Sequence, residues 1–373
     1  MWLSVWLLIA IGCGGTRSTA VSAPPLPEQR ATNVILLIGD GMGLAQITAG
    51  MYRNGNRLHL ESFEVVGLHK TYAADNLVTD SAAGATAFAC GVKTYNGAIG
   101  VNVDTMAVTT LLEEAEARGM ATGLAATSTI VHATPAAFVA HVAHRHMYED
   151  IAEWFLRNEV DCFVGGGWKY FAERQKDQRN LIDELEQKGY VVGSWRTHRF
   201  ADMPLDASAN MAFFTAQDDP PRKLDGRDDY LIDAATRLPR FLKQRSDKGF
   251  FLMIEGSQID WGGHAVDAAY IVSEMIEFDE AIGRALAFAK EDGHTLVVVT
   301  ADHETGGFSI NPGSTQDTIV AGFSSFYDAD HKRGAHTAAM VPVFAWGPGA
   351  ELFRGIYENT AIHDKIRQAL GWQ

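Results

Sequence analysis

The sequence predicts an α/β fold, a three-layer α/β/α sandwich around a central, mainly parallel sheet. Three observations carry this. Largely apolar runs recur at residues 33–38, 250–254, 295–300 and 341–346 without polar alternation, as in strands covered on both faces. Amphipathic stretches with helical spacing lie between such runs, giving a β-α-β rhythm. Of the 373 residues 47% are hydrophobic and 21% charged, which suits one large globular core.

Taken in order, residues 1–12 are nearly all apolar, too few to span a bilayer as a mature helix, and match a signal-peptide core without a basic residue near Met1. Cys13 follows Ala10-Ile11-Gly12, a loose version of the bacterial lipoprotein cleavage site. Residues 14–30, rich in Gly, Ser, Thr and Pro, read as a flexible tether. Either Cys13 becomes a lipid anchor or an ordinary signal is cleaved further along. Both give an exported protein, periplasmic or tethered at the outer membrane. Residues 31–373 contain no linker and read as one domain. Within it, Asn33-Val-Ile-Leu-Leu-Ile38 is a buried strand, followed by a helix from about Gly43. Residues 121–126 form another strand, and the charged, irregular stretch 167–229 is peripheral. Residues 250–254 and 295–300 are strands flanking a helix over 266–290. A strand at 341–346 precedes a closing helix over 359–370, with Asn359 or Thr360 as its cap. Cys90 and Cys162 sit in core-like surroundings and make no disulfide scaffold.

The formal net charge of -15 argues against nucleic acid or an anionic membrane as partner. It also repels an anionic substrate unless bound cations reverse the field locally. The strand ends supply candidates for holding them. The first strand runs into Gly39-Asp40-Gly41-Met42-Gly43, the strand at 250 into Glu255, and the strand at 295 into Asp302-His303. Open α/β sheets bind ligands beyond the carboxyl ends of their strands, so three such ends point to one converging site. Glu255-Gly-Ser-Gln-Ile-Asp260-Trp-Gly-Gly-His264 adds acid and imidazole, with Asp260 and His264 on one face if the segment is helical. His336 precedes the last strand. Imidazole with carboxylate suits Zn²⁺, and all-oxygen sets suit Mg²⁺. Ser81 opens a small-residue run, either as part of a helix cap with Asp80 or as a nucleophile favoured by the helix dipole. Thr134 offers a hydroxyl to a hard cation and Arg145 a planar fork for two phosphate oxygens. His141, His144 and His146 crowd the same stretch, but on a helix they would point at mixed angles, so they are not read as ligands. The glycines after the first strand resemble a dinucleotide loop. They fail it, because the third small position falls on Leu44 or Gln46.

These residues resemble those of the alkaline phosphatase family over about residues 31–371. The signatures are Ile38-Gly-Asp40-Gly-Met-Gly43, Thr79-Asp-Ser81-Ala-Ala-Gly-Ala-Thr86, Ala133-Thr134-Pro135, Glu255-Gly-Ser-Gln-Ile-Asp260 and Thr300-Ala-Asp302-His303-Glu304-Thr305-Gly306-Gly307. The chain looks most like the compact members from cold-living bacteria. The resemblance implies hydrolysis of phosphate monoesters through a phosphoseryl intermediate on Ser81, at a site with two zinc ions and one magnesium. It implies that Asp260, His264 and His336 hold one zinc, and that Asp40, Asp302 and His303 hold the second. Asp40 would bridge to a magnesium held by Thr134 and Glu255, and Arg145 would clamp the phosphate. His132 and Trp261 stand where the best-known enterobacterial pattern has Asp and Lys, beside the bound substrate, which bears on the third metal and on phosphate release. A homodimer is also implied. The rival readings are a phosphodiesterase or sulfatase of the same superfamily, and a tethered phosphate-binding or metal-storing lipoprotein, which would need no nucleophile.

Overall fold

The computed structural model describes residues 30–328 and 333–372. The expected signal segment, Cys13 and almost all of the tether lie outside the described residues. Eight strands lead the central sheet: β1 (Asn33–Gly39), β2 (Val65–Lys70), β3 (Ala121–Thr129), β4 (Cys162–Gly166), β5 (Val191–Ser194), β6 (Met211–Phe214), β7 (Phe250–Gly256) and β8 (Thr295–Thr300). With Val341–Trp346 and Gly355–Glu358 they form a ten-stranded sheet. Its order is Gly355–Glu358, β2, Val341–Trp346, β8, β1, β7, β3, β4, β6, β5. In this sheet Val341–Trp346 alone runs antiparallel to its neighbours. The three-layer, mainly parallel sandwich is therefore present.

The middle of the sheet explains the unbroken apolar runs. Val34, Ile35, Leu36, Leu37 and Ile38 are all fully buried, because each strand face meets a helical layer. Even-numbered residues of β1 pack with Phe88, Leu112 and Phe138 on one side. Odd-numbered ones pack with Leu238, Met275 and Phe278 on the other. At roughly 1.5–3 kcal/mol per fully buried aliphatic side chain, this double burial makes the β8-β1-β7 centre the most strongly held part of the chain.

The helices that matter for the site are α1 (Leu44–Arg53), α2 (Ser81–Cys90), α3 (Leu111–Ala117) and α4 (Ala133–Val139). Four details differ from expectation. The helix read over 266–290 is Ala268–Asp292, starting later because Val266 takes a positive φ of 55° and Asp267 caps it through Ala269 and Tyr270 N–H; the short helix Gln258–His264 precedes it. The irregular stretch 167–229 lies at one side of the sheet but is not outside it, since it supplies β5 and β6. Their four-residue length left too little alternation to read. The closing helix is Ala361–Leu370, and the Thr360 side chain does not cap it. Asn359 instead donates from Nδ2 to the Thr71 carbonyl. The segment with His141, His144 and His146 is loop between helices. Among the described residues, no helix is long and apolar enough to cross a membrane.

One polar cluster ties the stretch 167–229 to the rest. Arg227, 5% exposed, donates to both Glu274 and Glu277 on the helix Ala268–Asp292. Lys223 Nζ lies 3.0 Å from Glu277. Removing the guanidinium strands two buried carboxylates. Arg227→Ala should cost about 3–5 kcal/mol of unfolding free energy in urea titration. A loss below about 1 kcal/mol, the range of exposed pairs, would show that the cluster is not a true buried network.

Candidate active site

The site forms where the centre of the sheet ends. Ile38 pairs with Glu255 on one side and Thr300 on the other, so β1, β7 and β8 release Asp40, Glu255 and Asp302-His303 at one edge. Gly41, at φ +71°, lets the chain turn there, and an added Cβ would lie 2.7 Å from Asp260 Cα. The helix Gln258–His264 sets Asp260 and His264 one turn apart, with His264 Nε2 3.2 Å from Asp260 Oδ2. His336 comes from the short strand His336–Thr337, its Nε2 3.4 Å from Asp260 Oδ1.

The three imidazoles are aimed by their outer nitrogens. His264 Nδ1 meets the Gly334 carbonyl at 2.7 Å and His336 Nδ1 the Thr79 carbonyl at 2.9 Å. His303 Nδ1 lies 3.2 Å from the Thr305 hydroxyl, which donates to Asp260. A carbonyl accepts only, so His264 and His336 carry the hydrogen on Nδ1 and turn the Nε2 lone pair inward. Those two Nε2 atoms are 3.1 Å apart. Facing lone pairs at that distance call for a cation or a shared proton. His303 Nε2 lies 3.2 Å from Asp302 Oδ2, 3.5 Å from Asp40 Oδ1 and 3.3 Å from Ser81 Oγ.

Among the described residues, three groups of side chains converge closely enough to hold an ion: Asp260, His264 and His336; Asp40, Asp260 and His303; and Asp40, His132 and Glu255. The first is the expected set. The second has Asp260 in place of the expected Asp302, although Asp302 Oδ2 lies 3.2 Å from His303 Nε2. The third adds His132 to the expected Asp40 and Glu255. Buried atoms without a hydrogen-bond partner mark the same places: Thr134 Oγ1, Glu255 Oε1, Asp302 Oδ2 and His132 Nδ1. Such atoms cost free energy unless a ligand engages them, so the donor set fits hard and borderline cations.

Ser81 begins α2, but Asp80 is the cap, accepting from Ala83 N–H at 3.0 Å. The Ser81 hydroxyl is left free to face Asp40 Oδ2 at 3.2 Å. Asp80 also holds Arg145, whose Nη1 donates to Asp80 Oδ2 at 2.9 Å. Arg145 Nη2 donates to His132 Nε2 at 3.2 Å. Burial and this guanidinium hold His132 down to about 3, so it is neutral. The Trp261 ring stands edge-on to His132, centroids 6.0 Å apart. Ser81, Arg145, His132, Trp261, Asp260, His264 and His336 all line one cavity of about 700 Å³, with Tyr327 and Arg333 at its wall. His141 is turned away, bound to the Gly100 carbonyl and Glu113. Sequence reasoning missed Thr305 and Tyr327. Thr305 lay inside a quoted motif, two residues from His303, which was the available signal. Tyr327 had none.

The family model for alkaline phosphatase matches residues 31–333. Alkaline phosphatase 3 of Bacillus subtilis is 35% identical over 92% of this chain and 90% of its own length. The alkaline phosphatase of the Antarctic bacterium TAB5 superposes with a TM-score of 0.84 at 43% identity, covering 92% of this chain and all of that one. A histidine-to-aspartate variant of the TAB5 enzyme, with magnesium bound in its M3 site, has the same TM-score at 42% identity, covering 94% of this chain and all of that one.

Without cations the site must store protons. Burial pushes Glu255 up to about 8 and Asp302 to about 6, and raises Asp40 well above the carboxylate range. His264 and His336 are raised too: burial lowers them, but Asp260 outweighs it. Every one of these groups holds its proton more tightly folded than unfolded. Through these groups stability falls as pH rises past their folded values, while the depressed His132 and His303 act the other way only below the ordinary imidazole range, so the alkaline side carries the loss. Chelator-treated protein should melt lower at about pH 8 than at about pH 5, and saturating zinc and magnesium should remove that trend. A metal-free melting temperature that is equal or higher at the alkaline end would contradict the arrangement.

Proposed function

The chain belongs to the alkaline phosphatase family and is a phosphate monoester hydrolase; we propose that it works through a phosphoseryl intermediate on Ser81, at a site for two zinc ions and one magnesium. The observation that carries this reading is the free Ser81 hydroxyl at the start of α2, 3.2 Å from Asp40 and 3.3 Å from His303 Nε2. Asp260, His264 and His336 would hold one zinc, and Asp40, Asp302 and His303 the other. Thr134, Glu255 and Asp40 would hold magnesium, for which the variant TAB5 structure with bound magnesium is support. When bound, the cations neutralise phosphate oxygens, acidify the attacking hydroxyl and stabilise the leaving alkoxide.

The chain's own groups do the rest. Asp80 caps α2 and so leaves Ser81 to attack along the helix axis, where the amide dipoles favour a developing anion. Ser81 Oγ bonds to phosphorus as its proton passes to solvent, and the ester oxygen departs with the bonding pair and is protonated to the alcohol. Water then attacks the phosphoserine, its oxygen bonds to phosphorus, and Ser81 Oγ leaves with the bonding pair and regains a proton as inorganic phosphate is released. Arg145, already aimed by Asp80 and His132, presents its fork to the equatorial oxygens. The cavity, about 700 Å³ in all, leaves room beyond the phosphate for varied alcohols. Export through the apolar leader, a lipid anchor at Cys13 and a homodimer belong to the same proposal. The leader's composition supports the first two, and family membership supports the third.

Ser81→Ala replaces one small residue at a helix start by another. It should keep the fold and bound zinc while turnover of a monoester falls by orders of magnitude without vanishing. Near-normal turnover, or equal rates on monoester and diester in the parent enzyme, would overturn the reading. His132→Asp should tighten magnesium, a hard cation, in titration of the metal-free enzyme. An unchanged magnesium affinity would remove His132 from the third site. Mass spectrometry of protein from its native membrane should find lipidated Cys13 as first residue. A soluble chain starting well past it would refute the anchor.

A further inference from the structure

The strand that delivers Asp302 and His303 continues into Glu304, a carboxylate for which the phosphate chemistry has no use. Glu304 is 8% exposed and accepts from four donors. Its Oε1 takes Gln46 Nε2 at 2.8 Å and Phe308 N–H at 3.0 Å. Its Oε2 takes the Thr337 hydroxyl at 2.6 Å and Gly307 N–H at 3.2 Å. Gln46 on α1 also donates to the Thr305 carbonyl at 3.0 Å. One carboxylate thus fastens α1, the turn at 307–308 and the strand His336–Thr337 to the segment that carries His303.

The strand it fastens is short. His336 faces Thr305 and Thr337 faces Glu304 across a ladder of two residue pairs. So brief a ladder has little stability of its own. Yet it sets where His336 stands against His303, whose rings stack with centroids 3.6 Å apart. These histidines belong to different ion-holding groups. The glycine at 43 fits the same account. An added Cβ there would lie 2.5 Å from Glu304 Cγ, so Glu304 crosses the start of α1 where only a glycine leaves space.

We propose that Glu304 is a positioning residue that sets the spacing between the two zinc half-sites, by clamping the strand of His336 to the segment of His303. The inference rests on the ligand assignment proposed above. An ionised carboxylate only accepts, and here all four neighbours donate. A glutamine of the same shape would turn its amide hydrogens toward two of them and break the clamp. Groups that orient metal ligands from behind contribute about 10–100-fold to metal affinity.

The test uses the zinc-loaded enzyme and a chromogenic chelator. Glu304→Gln should release zinc about 10–100-fold faster than the parent. Thr337→Val, which removes one donor and keeps the shape, should give a smaller acceleration in the same direction. The melting temperature of the chelator-treated protein is read alongside. A merely structural role would lower that temperature and leave zinc release at the parent rate in both variants, which would overturn the proposal. If Glu304→Gln does not fold, Thr337→Val decides alone. His336→Ala separates the two levels of argument. If it loses a zinc while Glu304→Gln and Thr337→Val release at the parent rate, only the positioning role fails. If it keeps both zincs, the ligand assignment fails and the positioning role with it.

Discussion

The whole structure depends on one electrostatic constraint, the convergence of four buried carboxylates at one edge of an apolar sheet. Asp40, Glu255, Asp260 and Asp302 are each 4% exposed or less. Charges taken that far from water cost several kcal/mol apiece unless something compensates them. The protein's own compensation is incomplete. Arg145 is the guanidinium at hand, and Asp80 already shares it. Only Asp260 gains enough from His264 and His336 to be held below the usual carboxylate range against burial. The other three are pushed up. The site is therefore built with a deficit of positive charge, which is the physical content of calling it metal-dependent.

How much of this could be read from sequence follows from the same geometry. A strand buried on both faces leaves a plain signature, and three such strands ended in Asp40, Glu255 and Asp302-His303. That these strands are neighbours in the order β8-β1-β7 left no trace in composition, because adjacency is set by long crossovers. The helical reading of residues 258–264 was conditional, and the helix is there. The break before Ala268 was invisible, since a positive φ at Val266 is unusual for a β-branched residue. His132 was read as a neighbour of the third site. Only the fold shows its ring close enough to Asp40 and Glu255 to be counted with them. Contacts such as Thr305 with Asp260 depend on tertiary approach, which spacing along the chain does not encode.

Of the two residues that could cap α2, Asp80 does so and leaves the Ser81 hydroxyl to other partners. Asp80 satisfies Ala83 N–H, accepts from Gly97 N–H and grips Arg145. A serine that capped its own helix would have its oxygen turned toward backbone amides. With the cap moved one residue upstream, Ser81 becomes the first helical residue, and its Oγ points at Asp40 and His303 instead. The small residues that follow serve the same end. A Cβ at Gly84 would lie 3.1 Å from Asp302 Cβ, so α2 can press against the strand end that bears Asp302.

The net charge of -15 then ceases to conflict with an anionic substrate. Exposed charges more than about 8–10 Å away are screened by salt, whereas groups inside a partly enclosed cavity are not. What a phosphate meets is set by the lining, where Arg145 and the inward Nε2 atoms of His264 and His336 stand among the acids. Cations held at the proposed site would add positive charge to that lining, while the outer surface would stay acidic. The metal-free cavity, by contrast, presents a dianion with uncompensated carboxylates. On the proposed metal assignment, substrate affinity would follow metal occupancy through charge.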